Sequence, residues 1–424
     1  MVKIDYGKKG LEISMNSLWN VTVFQPKGQK SLANPIKEIR KAIKNPIEGQ
    51  SLRNIIKNKK LVNKVCIVVP DATRPVPSHI ILEGLIGELN DYGIQDNQIL
   101  VLIATGLHRP SSLDEIERIV GKNLINRLEV KNHMATDTDS LQYFGTTKEN
   151  IPIYVNRRYS TSDVKIITGY VEPHFFFGFS GGRKSIVPGI AGKETIQANH
   201  SAKNISSPFS RFGMYKENML HKNSMEICQI VGVDFTVNVC LNENHEIVKV
   251  IAGNFEKVYE TLVDYQYKQV FTKIQDPYDI VICGNGGYPL DLNLYQAVKS
   301  MALGELAVKK NGTIISVNEC IDGIGEENFK ELLFSGKSHQ ELYNLILNRD
   351  IVVPDQWEIQ ILARILMKAE IIVVSSLEEQ EIGNIGLKYA NNIENAIKVS
   401  IKKHGSNARI LILPNGPQIL PLLK

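Results

Sequence analysis

Seven short apolar runs constrain the fold of this chain more than any other feature. They are "KVCIVVP" (64–70), "QILVLIATG" (98–106), "DVKIITG" (163–169), "YDIVICGNGG" (278–287), "GTIISV" (312–317), "EIIVVSS" (370–376) and "ARILILP" (408–414). Val and Ile follow one another in them without polar alternation, as in strands covered on both faces. Between them lie segments with helical spacing, such as "SHIILEGLIGELNDYG" (78–93) and "DQWEIQILARILMKAE" (355–370). Such alternation predicts an α/β chain with mostly parallel sheets. "NVCLNENHEIVKVIAGN" (238–254) reads differently, with "NENHE" as a hairpin turn between two strands.

At 424 residues the chain is too long for one ordinary domain. The polar stretch near 265–277 interrupts the strand pattern and marks a boundary. The expectation is two α/β domains with an active site in the cleft between them. The first is a cofactor-binding domain over 1–270, which residues 405–424 could rejoin; the second is a Rossmann-like domain over 275–404. Charge is nearly balanced, with 49 basic and 45 acidic side chains, so no basic footprint points to nucleic acid. No apolar run approaches the ~18 residues of a membrane span, and the N-terminus "MVKIDYGKKGLEIS" shows no signal-peptide core. Five scattered cysteines without a CxxC pair argue against a disulfide framework or cysteine-ligated zinc. These features predict a reduced, cytoplasmic enzyme.

The chemistry gathers after the strands, where open α/β sheets bind ligands. After 64–70 comes "DATRPVPSH", with Asp71 and Arg74; after 98–106 comes "TGLHRP", with His108. After 163–169 comes "GYVEPHFFFGFSGGRKSIVPGIAGKETIQANHS", which frames Lys184 between His174 and His200. In the second half, "GNGGYPLDLNLYQAVKS" places Tyr295, Gln296 and Lys299 on roughly one helical face. Each feature also has a plainer reading. Arg74 could simply pair with Asp71, and His108 could be a loop histidine. Trp357, in "PDQW", could be a core anchor or a pocket wall. Gly178, Ser180, Gly181 and Gly182 predict a phosphate-cradling loop, because glycines let backbone N–H groups approach an anion. The spacing to Lys184 is not that of a Walker A motif.

Taken together, "DATRPVPSH", "TGLHRP", the long loop, "GNGGYPLDLNLYQAVK" and "PDQW" closely resemble the nickel-pincer lactate racemase family, in order and over nearly the whole chain. The long loop is highly specific; the shorter pieces are not. The resemblance implies a pyridinium-3,5-bisthiocarboxylic acid mononucleotide that carries nickel and is attached to Lys184. It implies His200 as the nickel ligand, with Asp71, Arg74, Gly178, Ser180, Gly181 and Gly182 on the cofactor side. It further implies His108 and His174 as paired acid/base groups. Arg74, Tyr295, Gln296, Lys299 and Trp357 would then hold the substrate.

The implied reaction is racemisation of lactate or a similar small 2-hydroxy acid. Its Cα–H is a very weak acid beside a carboxylate, and each pK unit of mismatch costs about 1.36 kcal/mol. Hydride removal avoids that carbanion. Both enantiomers react, so the hydroxyl proton needs a base on each side. Ala72, Pro173 and Phe177 depart from the lactate enzymes near the site and leave open a different 2-hydroxy acid. Two further classes share part of the pattern: a pyridoxal-phosphate enzyme, and a non-catalytic nickel or nucleotide carrier. Expected partners are the substrate and the cofactor-building enzymes, with the chain a monomer or homodimer.

Overall fold

The computed structural model of the chain describes residues 1–423. They form two compact units. The central unit comprises Gly28–His200 and Phe209–Lys268; the terminal unit comprises Met1–Lys27, Ser201–Pro208 and the chain from Gln269 onward.

The central unit is built on a six-stranded sheet. Its order is Ile247–Gly253, Phe235–Leu241, Val164–Tyr170, Val65–Pro70, Ile99–Ala104, Glu129–Asn132. Every pairing is parallel except the hairpin of Phe235–Leu241 with Ile247–Gly253, where the sequence predicts one. The lack of polar alternation in "VCIVV" has a direct cause. Val65, Ile67 and Val69 pack into one core with Ile81, Leu82 and Leu85 of the helix Ser78–Asp91. Cys66 and Val68 point the other way, into a core with Ile186, Ile190 and Ile227. Each such fully buried side chain contributes about 1.5–3 kcal/mol relative to exposure.

The chain runs outward from Val65–Pro70 through Ile99–Ala104 to Glu129–Asn132, then returns on the other side at Val164–Tyr170. Strand order therefore reverses between Val65–Pro70 and Val164–Tyr170. Connections leave their carboxyl ends in opposite directions, and a crevice opens there.

The terminal unit has its own six-stranded sheet, parallel throughout. Its order is Lys388–Tyr389, Glu370–Val374, Val308–Val317, Tyr278–Cys283, Arg409–Leu413, Asn20–Val23. The short helix Ala202–Ser206 belongs to this unit, where the Ala202 carbonyl accepts a 2.8 Å bond from Gln360 Nε2.

The unit boundaries differ from the sequence expectation in three places. Residues 1–27 lie in the unit of the second half, because Asn20–Val23 pairs in register with Arg409–Leu413. That edge strand has no fully buried residue, so its four residues carry no apolar signal. The segment 405–424 is expected as a possible return to the first domain; its described residues 405–423 do not rejoin it, and their strand Arg409–Leu413 sits between Tyr278–Cys283 and Asn20–Val23. The polar stretch near 265–277 is not a linker throughout. The helix Phe255–Val270 runs into it, burying Val258, Leu262, Gln266 and Val270 on one stripe while Lys257, Glu260, Asp264 and Lys268 are exposed. Among the described residues no helix is long and apolar enough to cross a membrane.

Candidate active site

Three adjacent strands of the central sheet end side by side, and the loops that leave them carry the titratable groups. Asp71 directly follows Val65–Pro70 and is 5% exposed. Its Oδ2 lies 2.7 Å from His108 Nδ1, and its Oδ1 accepts from the Thr73 hydroxyl at 2.6 Å. Burial raises the Asp71 carboxyl. The hydrogen bond and charge of His108, the Arg74 charge and the Thr73 hydroxyl outweigh burial and hold it below its ordinary value. The carboxylate accepts the Nδ1 proton of His108 and leaves Nε2 as the basic nitrogen. Arg74 sits in the same turn, its N–H donating to the Asp71 carbonyl at 3.2 Å.

The loop after Val164–Tyr170 turns back on itself. Pro173–His174 pairs with Gly178–Phe179, with the three phenylalanines at the bend. Phe175, Phe176 and Phe177 are all buried. His174 stacks on Phe175 at 5.0 Å and meets the edge of Phe176 at 4.6 Å. Its Nδ1 accepts from the Phe176 and Phe177 N–H groups at 3.4 and 3.3 Å. Its Nε2 lies 2.9 Å from Lys184 Nζ, which sits 4.1 Å from the centre of the Phe177 ring. The Gly106 N–H donates to the Gly189 carbonyl at 3.0 Å, tying the loop of His108 to that of Lys184.

Two of the groups expected to cradle a phosphate, Ser180 and the Gly182 N–H, have partners within the protein. The Ser180 N–H donates to the Glu172 carbonyl at 2.8 Å. The Ser180 hydroxyl donates to the Tyr170 carbonyl and accepts from the Glu172 N–H, each at 3.0 Å. The Gly182 N–H donates to Asn238 Oδ1 at 3.2 Å. The Ser180 donors are spent within the loop and its base, and that of Gly182 on the strand Phe235–Leu241. A Cβ on Gly178 would stand 2.3 Å from the Met214 carbonyl oxygen, and one on Gly181 would stand 2.7 Å from that of Tyr170. Internal close packing, rather than the approach of an anion, requires glycine at these two positions.

His200 caps the helix Lys193–Asn199. Its Nδ1 lies 2.8 Å from the Ile196 carbonyl, which can only accept, so Nδ1 carries the proton and Nε2 keeps its lone pair. Phe176 and Phe177 flank the ring at 5.5 and 5.4 Å. Burial, with the Lys184 charge, lowers its pKa to about 3 against the raising effect of the Ile196 carbonyl. A buried neutral imidazole with one fixed tautomer is a good metal donor. Among the described residues no three His, Cys, Asp or Glu side chains converge on a metal-sized site.

The remaining expected residues lie in the terminal unit. On the helix Leu294–Glu305, Lys299 Nζ donates to Gln296 Oε1. Tyr295 is 8% exposed and its hydroxyl donates to Asp355 Oδ1 at 3.0 Å. Trp357 opens the helix Gln356–Lys368 and is buried. Sequence reasoning passed over Glu358. Burial pushes its carboxyl up, against the charge of Lys299, and its Oε2 has no hydrogen-bond partner. It also passed over Asn238 and Arg183, which hold the Lys184 loop from within. Arg183 stood in plain view in "GGRK", but a basic residue among glycines reads as a surface or ligand contact.

Comparison with known proteins gives a consistent result. Residues 6–213 match the family described as the lactate racemase N-terminal domain, and residues 273–420 the lactate racemase C-terminal domain. A lactate racemase from Thermoanaerobacterium thermosaccharolyticum is 34% identical over 424 residues, covering 99% of this chain and 98% of that protein. One from Lactiplantibacillus plantarum is 36% identical over 381 residues, 89% of each chain. The solved structure of the lactate racemase apoprotein from T. thermosaccharolyticum superposes with a TM-score of 0.91 at 32% identity, covering 99% of both chains. A Thermotoga maritima protein shares the fold, with a TM-score of 0.69 at 21% identity over 92% of this chain and 99% of that one.

Proposed function

The chain belongs to the lactate racemase family, and from that premise we propose that it interconverts D- and L-lactate, using a nickel-pincer pyridinium nucleotide attached to Lys184. One observation supports this reading most. A lysine amine sits 2.9 Å from an imidazole nitrogen, in a loop bound tightly within itself and flanked by His200, whose Nε2 keeps its lone pair.

The residues fit the proposed group. Lys184 would carry it through a thioamide bond, and His200 Nε2 would supply the chain's one donor to nickel. The absence of a three-residue ligand cluster among the described residues accords with a metal whose other donors come from the nucleotide. When bound, the group would supply reversible hydride-acceptor chemistry.

The chain's own residues handle the proton and the carboxylate. His108 Nε2 takes the hydroxyl proton on one side, with Asp71 fixing its tautomer and stabilising the imidazolium. His174 does the same on the other side once its ring leaves the Phe176 and Phe177 amides. Arg74 offers a bidentate fork to the substrate carboxylate. The five cysteines are free and buried, in keeping with a reducing cytoplasm.

The test is protein made with and without the enzymes that build the nucleotide. The peptide containing Lys184 should gain mass, and the protein should gain nickel and racemase activity, only when those enzymes are supplied. Lys184→Ala should retain neither metal nor activity. An alanine variant with full activity would exclude the tether.

A further inference from the structure

Arg183 is 0% exposed and is among the largest fully buried side chains of the molecule. Its two Nη atoms donate to four carbonyls of a single loop: Phe177 at 3.2 Å, Phe179 at 2.8 Å, Ser180 at 3.2 Å and Gly181 at 3.1 Å. Its guanidinium lies 4.3 Å from the centre of the Tyr259 ring and 5.5 Å from that of Phe177. Among the described residues no carboxylate pairs with it, and its Nε has no hydrogen-bond partner. A buried charge without a counter-ion is expensive, several kcal/mol even after relaxation. Carbonyl dipoles and ring faces must offset that cost here.

We propose that Arg183 is a positioning residue that presents Lys184, its guanidinium setting both the backbone from which Lys184 starts and the ring on which its amine rests. The proposal rests on the reading of Lys184 as the reactive amine.

Two contacts carry it. The Gly181 carbonyl accepts from Arg183 Nη1 and from the Lys184 N–H, both at 3.1 Å, so one oxygen joins the guanidinium to the Lys184 backbone. Phe177 makes the second link. Its carbonyl accepts from Arg183 Nη2 at 3.2 Å, and its ring lies 4.1 Å under Lys184 Nζ. Moving the guanidinium therefore shifts the origin of the lysine and the surface beneath its tip together. A lysine at 183 would carry three donors in a compact ammonium and could not reach four carbonyls in one plane.

The experiment uses the full chain without cofactor and compares Arg183→Lys, Tyr259→Leu and Tyr259→Phe with wild type. Lysines are acetylated with a limiting amount of an N-hydroxysuccinimide ester, and modification of Lys184 is read by peptide mass against the exposed Lys193. Hydrogen exchange is followed in 177–184 and in the strand Val164–Tyr170. Arg183→Lys and Tyr259→Leu should change the Lys184:Lys193 ratio by about fivefold or more and speed exchange in 177–184, with the strand unchanged. Tyr259→Phe removes only a hydroxyl that has no partner and should match wild type. A ratio within about twofold of wild type in a folded variant overturns the proposal, as does exchange that rises equally in loop and strand. If Arg183→Lys does not fold, Tyr259→Leu decides by the same criteria. Failure of both to fold assigns Arg183 to the fold alone and also overturns it. An unmodified Lys184 in the cofactor-loaded protein would count against the tether only, since the labelling ratios are measured without cofactor.

Discussion

His108 and His174 follow the two strands that flank Val65–Pro70 in one sheet, yet they are held in opposite ways. His108 has a half-exposed side chain and is oriented by a buried carboxylate, Asp71 Oδ2 at 2.7 Å. His174 is packed among three phenylalanine rings, and its Nδ1 faces two backbone N–H groups. The carboxylate accepts a hydrogen bond from one ring N–H of His108 and leaves its other nitrogen for chemistry. The two N–H donors aimed at His174 Nδ1 instead occupy that nitrogen's lone pair. If both histidines play equal roles in the proposed reaction, they start from unequal resting states: His108 would act as found, whereas His174 would first have to give up its amide contacts.

The largest expected effect tests whether both histidines act at all. His108→Ala and His174→Ala should each lower kcat/KM by about 10²–10⁴-fold. The fall must be equal for both enantiomers, because racemisation has an equilibrium constant of one. Nickel content should survive His108→Ala. Unchanged turnover in either variant would break the comparison outright.

Asp71→Asn sharpens it from the carboxylate side. The amide can donate to His108 Nδ1 and so favour the wrong tautomer, and kcat should fall about 10–100-fold. Nitrogen-15 spectra of the imidazoles give the direct reading: His108 protonated at Nδ1 and unprotonated at Nε2 in wild type, and the reverse in the variant. Retention of the wild-type tautomer would show that Asp71 does not orient the ring.

Gly181→Ala acts on the other side alone. Its φ of 76° with ψ of −178° belongs to a region essentially reserved for glycine, and the new Cβ would stand 2.7 Å from the Tyr170 carbonyl oxygen. A loss of about 1–3 kcal/mol from backbone strain is expected, with the clash in addition. Chemical denaturation measures it. A variant as stable as wild type would mean that the loop is looser than its contacts indicate.

Acid should act gently and over a defined window. Burial lowers His133 to about 4 in the folded chain, against the raising effect of the Ala191 carbonyl. The unfolded chain, with its histidine near 6.5, binds the extra proton first. Stability is thus fully present above about pH 6.5 and is lost by about 1.4 kcal/mol per pH unit as pH falls toward the folded value. Asp71 works in the same direction, since a lowered carboxyl pKa stabilises above its unfolded value and that stabilisation is lost as pH falls through the folded one. His133→Gln should flatten the pH slope of unfolding by that amount. An unchanged slope would remove His133 from the account.

Much was legible in the sequence alone. The seven apolar runs all became strands, because burial on both faces demands residues whose identity survives in one dimension. Asp71, His108, His174 and Lys184 could be picked out because they follow such strands, where parallel sheets bring loops together. What the sequence could not assign were contacts made across long separations or by the backbone. Asn20–Val23 finds its partner only at Arg409–Leu413. The glycines around Lys184 looked like donors waiting for a phosphate, and three-dimensional packing showed Ser180 and Gly182 already bonded within the protein. Arg183 was read past for the same reason. Residue type declares charge, but only the tertiary structure decides whether a charge faces water, a ligand, or four carbonyls of its own loop.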